Sequence, residues 1–465
     1  MSYIRFIVLL FFIACNSPTT TVPETTTTVP ETTTTVPETT TTVPETTTTV
    51  PETTTTVPET TTTVPETSTT VPVTTFGELS NRTHSFDNCQ DMNASNLKIS
   101  CITGAKIRSV VSFGEDTISS VTKFNNKLYI SIKKGLLIEY DPVTGAQIEL
   151  FNKVGKLAIN NEGGLLSFAA SPVENNYVIS YSDSSKNLIF EKFTYDGELS
   201  NVTNSEILFS ENNESDFHYA GSVIWSNYYS NYIASIGDFT KATPTAIFQT
   251  NSVNTTIYPG KVILLDENVD VSTNIIHTGN KNTLPKNNII AFGFRNPWRI
   301  LEYKNRIIVF DVGMNVYEEV NILKYENTPA YFGWPFYEGI KQTSDIYNVD
   351  NYSLSIDVIS DSKNSNILGF IETESIFPKF TYTHNPGPRT AIIGGDVVDN
   401  FDSKYNYNIF FTDFISEEIM SYNMINSEVN IYPVSDTWGI TSLILYNDEI
   451  VISTLSGNLI FITLP

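Results

Sequence analysis

At 465 residues the chain is long enough for two or three average domains or for one large all-β unit. Its formal charge of −24 argues against a nucleic-acid partner, because phosphate binding needs clustered Lys and Arg. The same charge suits a solvated, exported surface and specifies nothing narrower.

The chain opens with a targeting signal. Arg5 supplies a minimal positive region, and Phe6 to Ala14 is an apolar run too short to span a bilayer. It ends in Phe12-Ile13-Ala14-Cys15, similar to a bacterial lipoprotein cleavage site. Residues 1–14 then form the signal, and Cys15 becomes the acylated first residue of a protein held to a membrane only by its lipid. An ordinary secretory signal followed by a chance cysteine is the alternative. Residues 15–75 are dominated by a Thr-Thr-Thr-Thr-Val-Pro-Glu repeat, with Pro23, Pro30, Pro37, Pro44, Pro51, Pro58 and Pro65 marking the register. A proline in every heptad forbids a helix, so the segment reads as a disordered, extended stalk. At about 3.1 Å per residue it reaches on the order of 170 Å at most.

Residues 76–465 change character. Short runs rich in β-branched and aromatic residues alternate with Asn, Asp, Gly and Ser: Lys127-Leu-Tyr-Ile-Ser-Ile, Tyr177-Val-Ile-Ser-Tyr, Ile307-Ile-Val-Phe, Ile409-Phe-Phe-Thr and Ile450-Val-Ile-Ser-Thr. No long helical periodicity competes with them. A single sandwich is too small for about 380 residues, whereas six four-stranded blades suit that length. A faint internal repeat agrees, because Val121 to Tyr140 and Leu443 to Ile462 both read strand, turn, strand, Gly turn, strand. The expected fold is all-β, a six-bladed propeller. At its start Cys89 and Cys101 have hairpin-compatible spacing, and in an oxidising compartment they are expected to form one disulfide. Two cysteines by themselves fall short of a four-ligand zinc shell.

Several segments carry candidate chemistry. In chain order they are Glu162-Gly-Gly-Leu-Leu-Ser-Phe168, His218-Tyr-Ala-Gly221, Ile236-Gly237-Asp238, Gly260-Lys261-Val-Ile and Ile289 through Arg295-Asn296-Pro297-Trp298. Next come Asp311-Val-Gly313-Met314 with Glu318-Glu319, then Phe332-Gly333-Trp334-Pro335, Tyr382-Thr-His384 to Gly395, and Phe410-Phe-Thr-Asp413. Arg295 and Asn296 set a charged fork beside an amide, a pair suited to a planar anionic ligand. Taken alone, an Arg-Asn-Pro turn is an ordinary β-turn and a lone histidine is an ordinary core or surface residue.

In this order the segments resemble the glucose/sorbosone dehydrogenase family, exported sugar dehydrogenases that use pyrroloquinoline quinone. The resemblance implies oxidation of an aldose or sugar alcohol outside the cytoplasm, with an electron acceptor as second partner. It makes His218 the general base, taking a hydroxyl proton while hydride passes to the quinone. Arg295, Asn296 and Glu162 match quinone or substrate contacts. Gly313 and Met314 match positions whose backbone carbonyls hold Ca²⁺. Glu318 and Glu319 are expected to be structural, and Trp334 to pack a blade corner or lie over the ligand. The chain departs from the family in having Phe217 where an acidic residue precedes the base. The quinone's carboxylates need cations, for which Lys261, Arg389 and Lys404 are the candidates. A non-catalytic propeller binding glycan or protein, and a Ca²⁺-dependent propeller lactonase or hydrolase, remain as alternatives on the same scaffold.

Overall fold

The computed structural model describes residues 98–240, 251–271, 286–343, 375–384, 389–399 and 404–465. The signal, the stalk, Cys15 and Cys89 lie outside the described residues; Cys101 ends the strand Ile99–Cys101. The described chain is all-β apart from a single 3-10 turn at Tyr325–Asn327.

Six antiparallel sheets follow one another along the chain and form the blades of a propeller. Blade 1 runs from Ile118 to Asn152 and blade 2 from Leu165 to Asn212. Blade 3 runs from Ala220 to Phe292 and gains Ala330–Tyr331 as a parallel edge. Blade 4 spans Pro297 to Thr383, blade 5 Ile392 to Pro433 and blade 6 Ile440 to Thr463. The innermost strands of successive blades neighbour one another in a closed cycle. Closure is made by an early strand, Lys106–Ser112, which pairs with Asn458–Thr463 as the fourth strand of blade 6. The last blade is thereby stitched by strands from both ends of the domain.

The core is distributed. Among the described residues there are six buried apolar clusters, each filling the gap between two successive blades. Phe168, Tyr177 and Phe193 join Tyr129 between blades 1 and 2, and Val111, Leu128, Val451 and Phe461 close the ring between blades 6 and 1. Each second strand is covered on both faces, so its central residues are mostly apolar. All five strands picked out by composition are second strands of blades.

Two features explain the internal repeat and position the site. In blades 1 and 6 the first hairpin turns through Asn125-Asn126 and Asn447-Asp448, all at positive φ, which matches the twist of the flanking strands. Every innermost strand also carries a register shift just after its first pair: Ile118/Ser120, Leu165/Ser167, Ala220/Val223, Pro297/Arg299, Ile392/Gly394 and Ile440/Ser442. Such bulges turn side chains at the rim of a sheet. Because the start of each first strand pairs with the end of the second, residues before the one and after the other share one face of the ring.

Candidate functional site

That face gathers the predicted residues. His218 precedes the first strand of blade 3, and Asp238 follows its second strand, whose ends pair as Ala220 and Ile236. Arg295 and Asn296 precede the first strand of blade 4, and Gly313 follows its second strand, joined by the pair Pro297 and Asp311. Glu162 lies ahead of blade 2.

His218 sits in the left-handed region at φ 55°, uncommon for a residue with a Cβ, and is 3% exposed. Its loop is tied down by the side chains of Asn213 and Ser215, which donate to the Phe217 carbonyl at 2.7 and 3.0 Å. Gly237 packs beneath it: a Cβ there would lie 1.8 Å from the His218 carbonyl oxygen. The ring Nδ1 meets Asp238 Oδ1 at 2.6 Å. Thr240 donates to the same oxygen from its hydroxyl at 2.8 Å and its backbone N–H at 3.0 Å. Trp334 Nε1 donates to the other carboxylate oxygen at 2.9 Å. The backbone N–H of Asp238 donates to the Arg295 carbonyl at 2.8 Å. This network assigns the proton to Nδ1 and leaves the lone pair on Nε2, which has no protein partner among the described residues. Burial by itself would raise the Asp238 carboxyl, but the His218 ring, the Arg295 charge and the Thr240 hydroxyl outweigh it and hold the group below its ordinary range.

Asp238, Thr240 and Trp334 are the residues that sequence reasoning missed as a set. Ile236-Gly237-Asp238 is visible as a motif, but only the fold brings a strand end 20 residues later onto the histidine. Trp334 is neither corner packing nor a free lid; its indole is buried and holds the carboxylate. Asp216, beside Phe217, faces Lys186 and Asn160 at 2.8 Å each and is not part of this network.

Arg295 and Asn296 are fixed by one carboxylate. Their backbone N–H groups donate to Asp311 Oδ2 and Oδ1 at 3.0 and 2.7 Å. Burial pushes the Asp311 carboxyl up to about 7 despite these bonds. Asn296 Nδ2 and the Tyr219 N–H both donate to Glu162 Oε2 at 3.3 Å, so Glu162 bridges blades 3 and 4 below the base. Arg295 Nε and Asn296 Oδ1 are buried without a partner among the described residues, one donor and one acceptor side by side.

The remaining cations and the expected metal position have other occupants. Arg295 Nη1 donates to the carbonyls of Val312 at 3.1 Å and Gly313 at 2.8 Å. The N–H groups of Met314, Asn315, Val316 and Tyr317 converge on Glu338 Oε1 at 2.8 to 3.1 Å. Glu318 accepts from the N–H of Ile392 at 2.9 Å and meets His384 Nε2 at 2.6 Å; Glu319 accepts from Gly339 N–H at 2.7 Å. Both glutamates thus accept from the protein's own donors. Arg389 is buried in a two-pronged pair with Glu418 at 2.8 and 3.0 Å. Lys261 donates to the carbonyls of Asn251, Ser252 and Pro259, and burial holds its ammonium well below the ordinary lysine range. Lys404 lies at the opposite face, where it reaches Pro465. A tricarboxylate quinone would therefore meet Glu162 and one engaged arginine here, and the described residues do not fit the quinone with calcium. No group of three His, Cys, Asp or Glu residues suited to a metal occurs among the described residues.

A buried, hydrogen-bonded His–Asp pair beside an Arg–Asn turn, on one face of a six-bladed propeller, is thus what the fold brings together. The chain is similar in structure to a glucose dehydrogenase, with a TM-score of 0.57, 15% identity, and coverage of 77% of this chain and 99% of the other. It is equally similar to the soluble aldose sugar dehydrogenase of Escherichia coli in its apo form, with a TM-score of 0.57, 15% identity and coverage of 78% and 100%. A putative oxidoreductase (glucose dehydrogenase) of Thermus thermophilus follows with a TM-score of 0.53, 11% identity and coverage of 77% and 100%. At these identities the likeness shows the fold, the six-bladed propeller of the soluble sugar dehydrogenases. No family model and no curated protein matches the chain.

Proposed function

We propose that the chain acts, outside the cytoplasm, on a hydroxyl of an aldose or sugar alcohol held at the mouth of the propeller. His218 Nε2 takes the hydroxyl proton, and Asp238 steadies the imidazolium that results. Arg295 and Asn296 orient the ligand through a second hydroxyl or ring oxygen. Oxidation at that carbon releases a hydride, which passes to a separate two-electron acceptor. The lipid on Cys15 and the stalk of residues 15–75 hold the catalytic unit away from the membrane that carries it.

The observation that carries this reading is the buried His218–Asp238 contact at 2.6 Å, with Nε2 left without a protein partner among the described residues. The test uses the full chain. Ligand-observed NMR across a panel of aldoses, sugar alcohols and lactones identifies what binds, and dye reduction with a soluble acceptor then measures turnover with and without added quinone and Ca²⁺. Binding and dye reduction with at least one aldose or sugar alcohol are expected, both weakened by Arg295→Ala. A panel in which no sugar binds, or in which only lactones are turned over, refutes the proposal.

A further inference from the structure

The Arg295 guanidinium takes one of the two carbonyls at which the family resemblance leads one to expect a metal ion, that of Gly313, together with the carbonyl of Val312. Its Nη1 lies 2.8 Å from the Gly313 carbonyl oxygen and 3.1 Å from that of Val312. The arginine is held there from several sides. Its backbone N–H is bound by Asp311, its carbonyl accepts from the Asp238 N–H, and its guanidinium carbon lies 5.8 Å from the centre of the Trp334 ring. The residue is 6% exposed. The loop beyond Gly313 is also committed, because four consecutive N–H groups from Met314 to Tyr317 close on the Glu338 carboxylate. Gly313 itself has no room to shift: a Cβ there would lie 1.7 Å from the Tyr317 carbonyl oxygen.

Calcium needs six to eight oxygen ligands at 2.3–2.6 Å. Here the carbonyl already accepts from a fixed monocation, and a second cation in bonding range would meet that charge at a few ångströms in a buried setting. We propose that Arg295 is a built-in cation that takes the carbonyl oxygens of Val312 and Gly313, so that the mouth works without calcium. Arginine thereby replaces a metal that would need loading by a fixed charge that cannot be chelated away. It also changes what the mouth recognises, since a guanidinium offers N–H donors to ligand oxygens rather than an open coordination position. The inference is independent of the sugar reading, because it concerns cation binding alone.

The test is a terbium titration of the full chain in 150 mM salt, with Tb³⁺ as the calcium probe and Trp334 as the sensitising indole. No saturable emission dependent on Trp334 is expected, and calcium and EDTA should leave the melting temperature unchanged. Saturable emission that persists in Gly313→Ala reports a cation held elsewhere and agrees with the assignment. Saturable emission that is displaced by calcium and lost in Trp334→Phe overturns it. So does a rise in melting temperature of several degrees with calcium that is abolished by Gly313→Ala, because a cation bound only to the folded state stabilises it by mass action. Where one variant fails to fold the other decides, and where both fail, absence of saturable, calcium-displaced emission from the wild type supports the assignment and its presence overturns it.

Discussion

At the scale of single residues the site is a base and its holder. His218→Ala removes the proton acceptor but few ligand contacts. Turnover should therefore fall by about 10²- to 10⁴-fold while sugar affinity stays within a few-fold. Steady-state kinetics alongside ligand-observed NMR separate the two effects, and equal losses of binding and turnover would show that His218 is only a binding residue. Asp238→Asn keeps the shape but weakens the hold on Nδ1–H, because the amide can present its N–H₂ to the ring. A fall in kcat on the order of 10²-fold with KM little changed is expected. Neither change tests the fold, so circular dichroism of both variants should match wild type. His218 was legible as a candidate because it stands between two family-like segments. Asp238 was legible only as part of a motif, because its role depends on a strand pairing that no local pattern encodes.

The elements succeed or fail by how they close and cap one another. Glu338 accepts four backbone N–H groups with one oxygen, and it is 1% exposed. Glu338→Ala leaves those donors in a buried turn, each worth about 1–3 kcal/mol when unsatisfied, with water recovering part of the loss. A destabilisation of about 3 kcal/mol is expected from urea unfolding; a loss below about 0.5 kcal/mol would mean that the turn does not need its carboxylate. The strand Lys106–Ser112 is a second such element, since it pairs the outer edge of Asn458–Thr463. Deleting residues 106–112 should lower the melting temperature by more than about 10 °C and yield oligomers by light scattering, as an exposed edge recruits other edges. A monomer that melts like wild type would refute ring closure by this strand. Second strands such as Asn408–Asp413 were readable in composition because they are covered on both sides. First strands were less distinct, because they crowd the axis with small residues such as Ser120, Ser167 and Gly394, and only those of blades 1 and 6 were readable, through the internal repeat.

For the whole molecule the notable quantity is the number of carboxyls carried inside the ring. Burial pushes Asp413 up to about 7 and Asp311 to about 7, and raises Glu318 and Glu319 as well. In each case the folded state binds its proton more tightly than the unfolded chain, whose Asp titrates near 3.8. Stability from these groups is complete below the unfolded value and is lost as pH rises through about 7. His384 acts in the same direction: burial lowers it, but the Glu318 contact outweighs that and raises it. The melting temperature should therefore be higher at pH 5.5 than at pH 8, with a slope on the order of 1 kcal/mol per pH unit. A melting temperature that climbs from pH 5.5 to pH 8 would show that these carboxyls are ionised and paired instead. The depressed Asp238 contributes oppositely only at lower pH, outside this window.

The fold class, the blade count and the candidacy of the base and of the Arg-Asn pair were readable from the chain alone, because they follow from length, strand composition and local motifs. So was the expectation of an exported, tethered protein. How each charge is spent was settled by the three-dimensional arrangement. Whether Arg295, Lys261 and Arg389 face a ligand or the protein's own carbonyls and carboxylates depends on which strand ends the ring brings together. For Arg295 and Arg389 those meetings join residues 17 to 29 positions apart, a separation over which sequence patterns carry no information about distance.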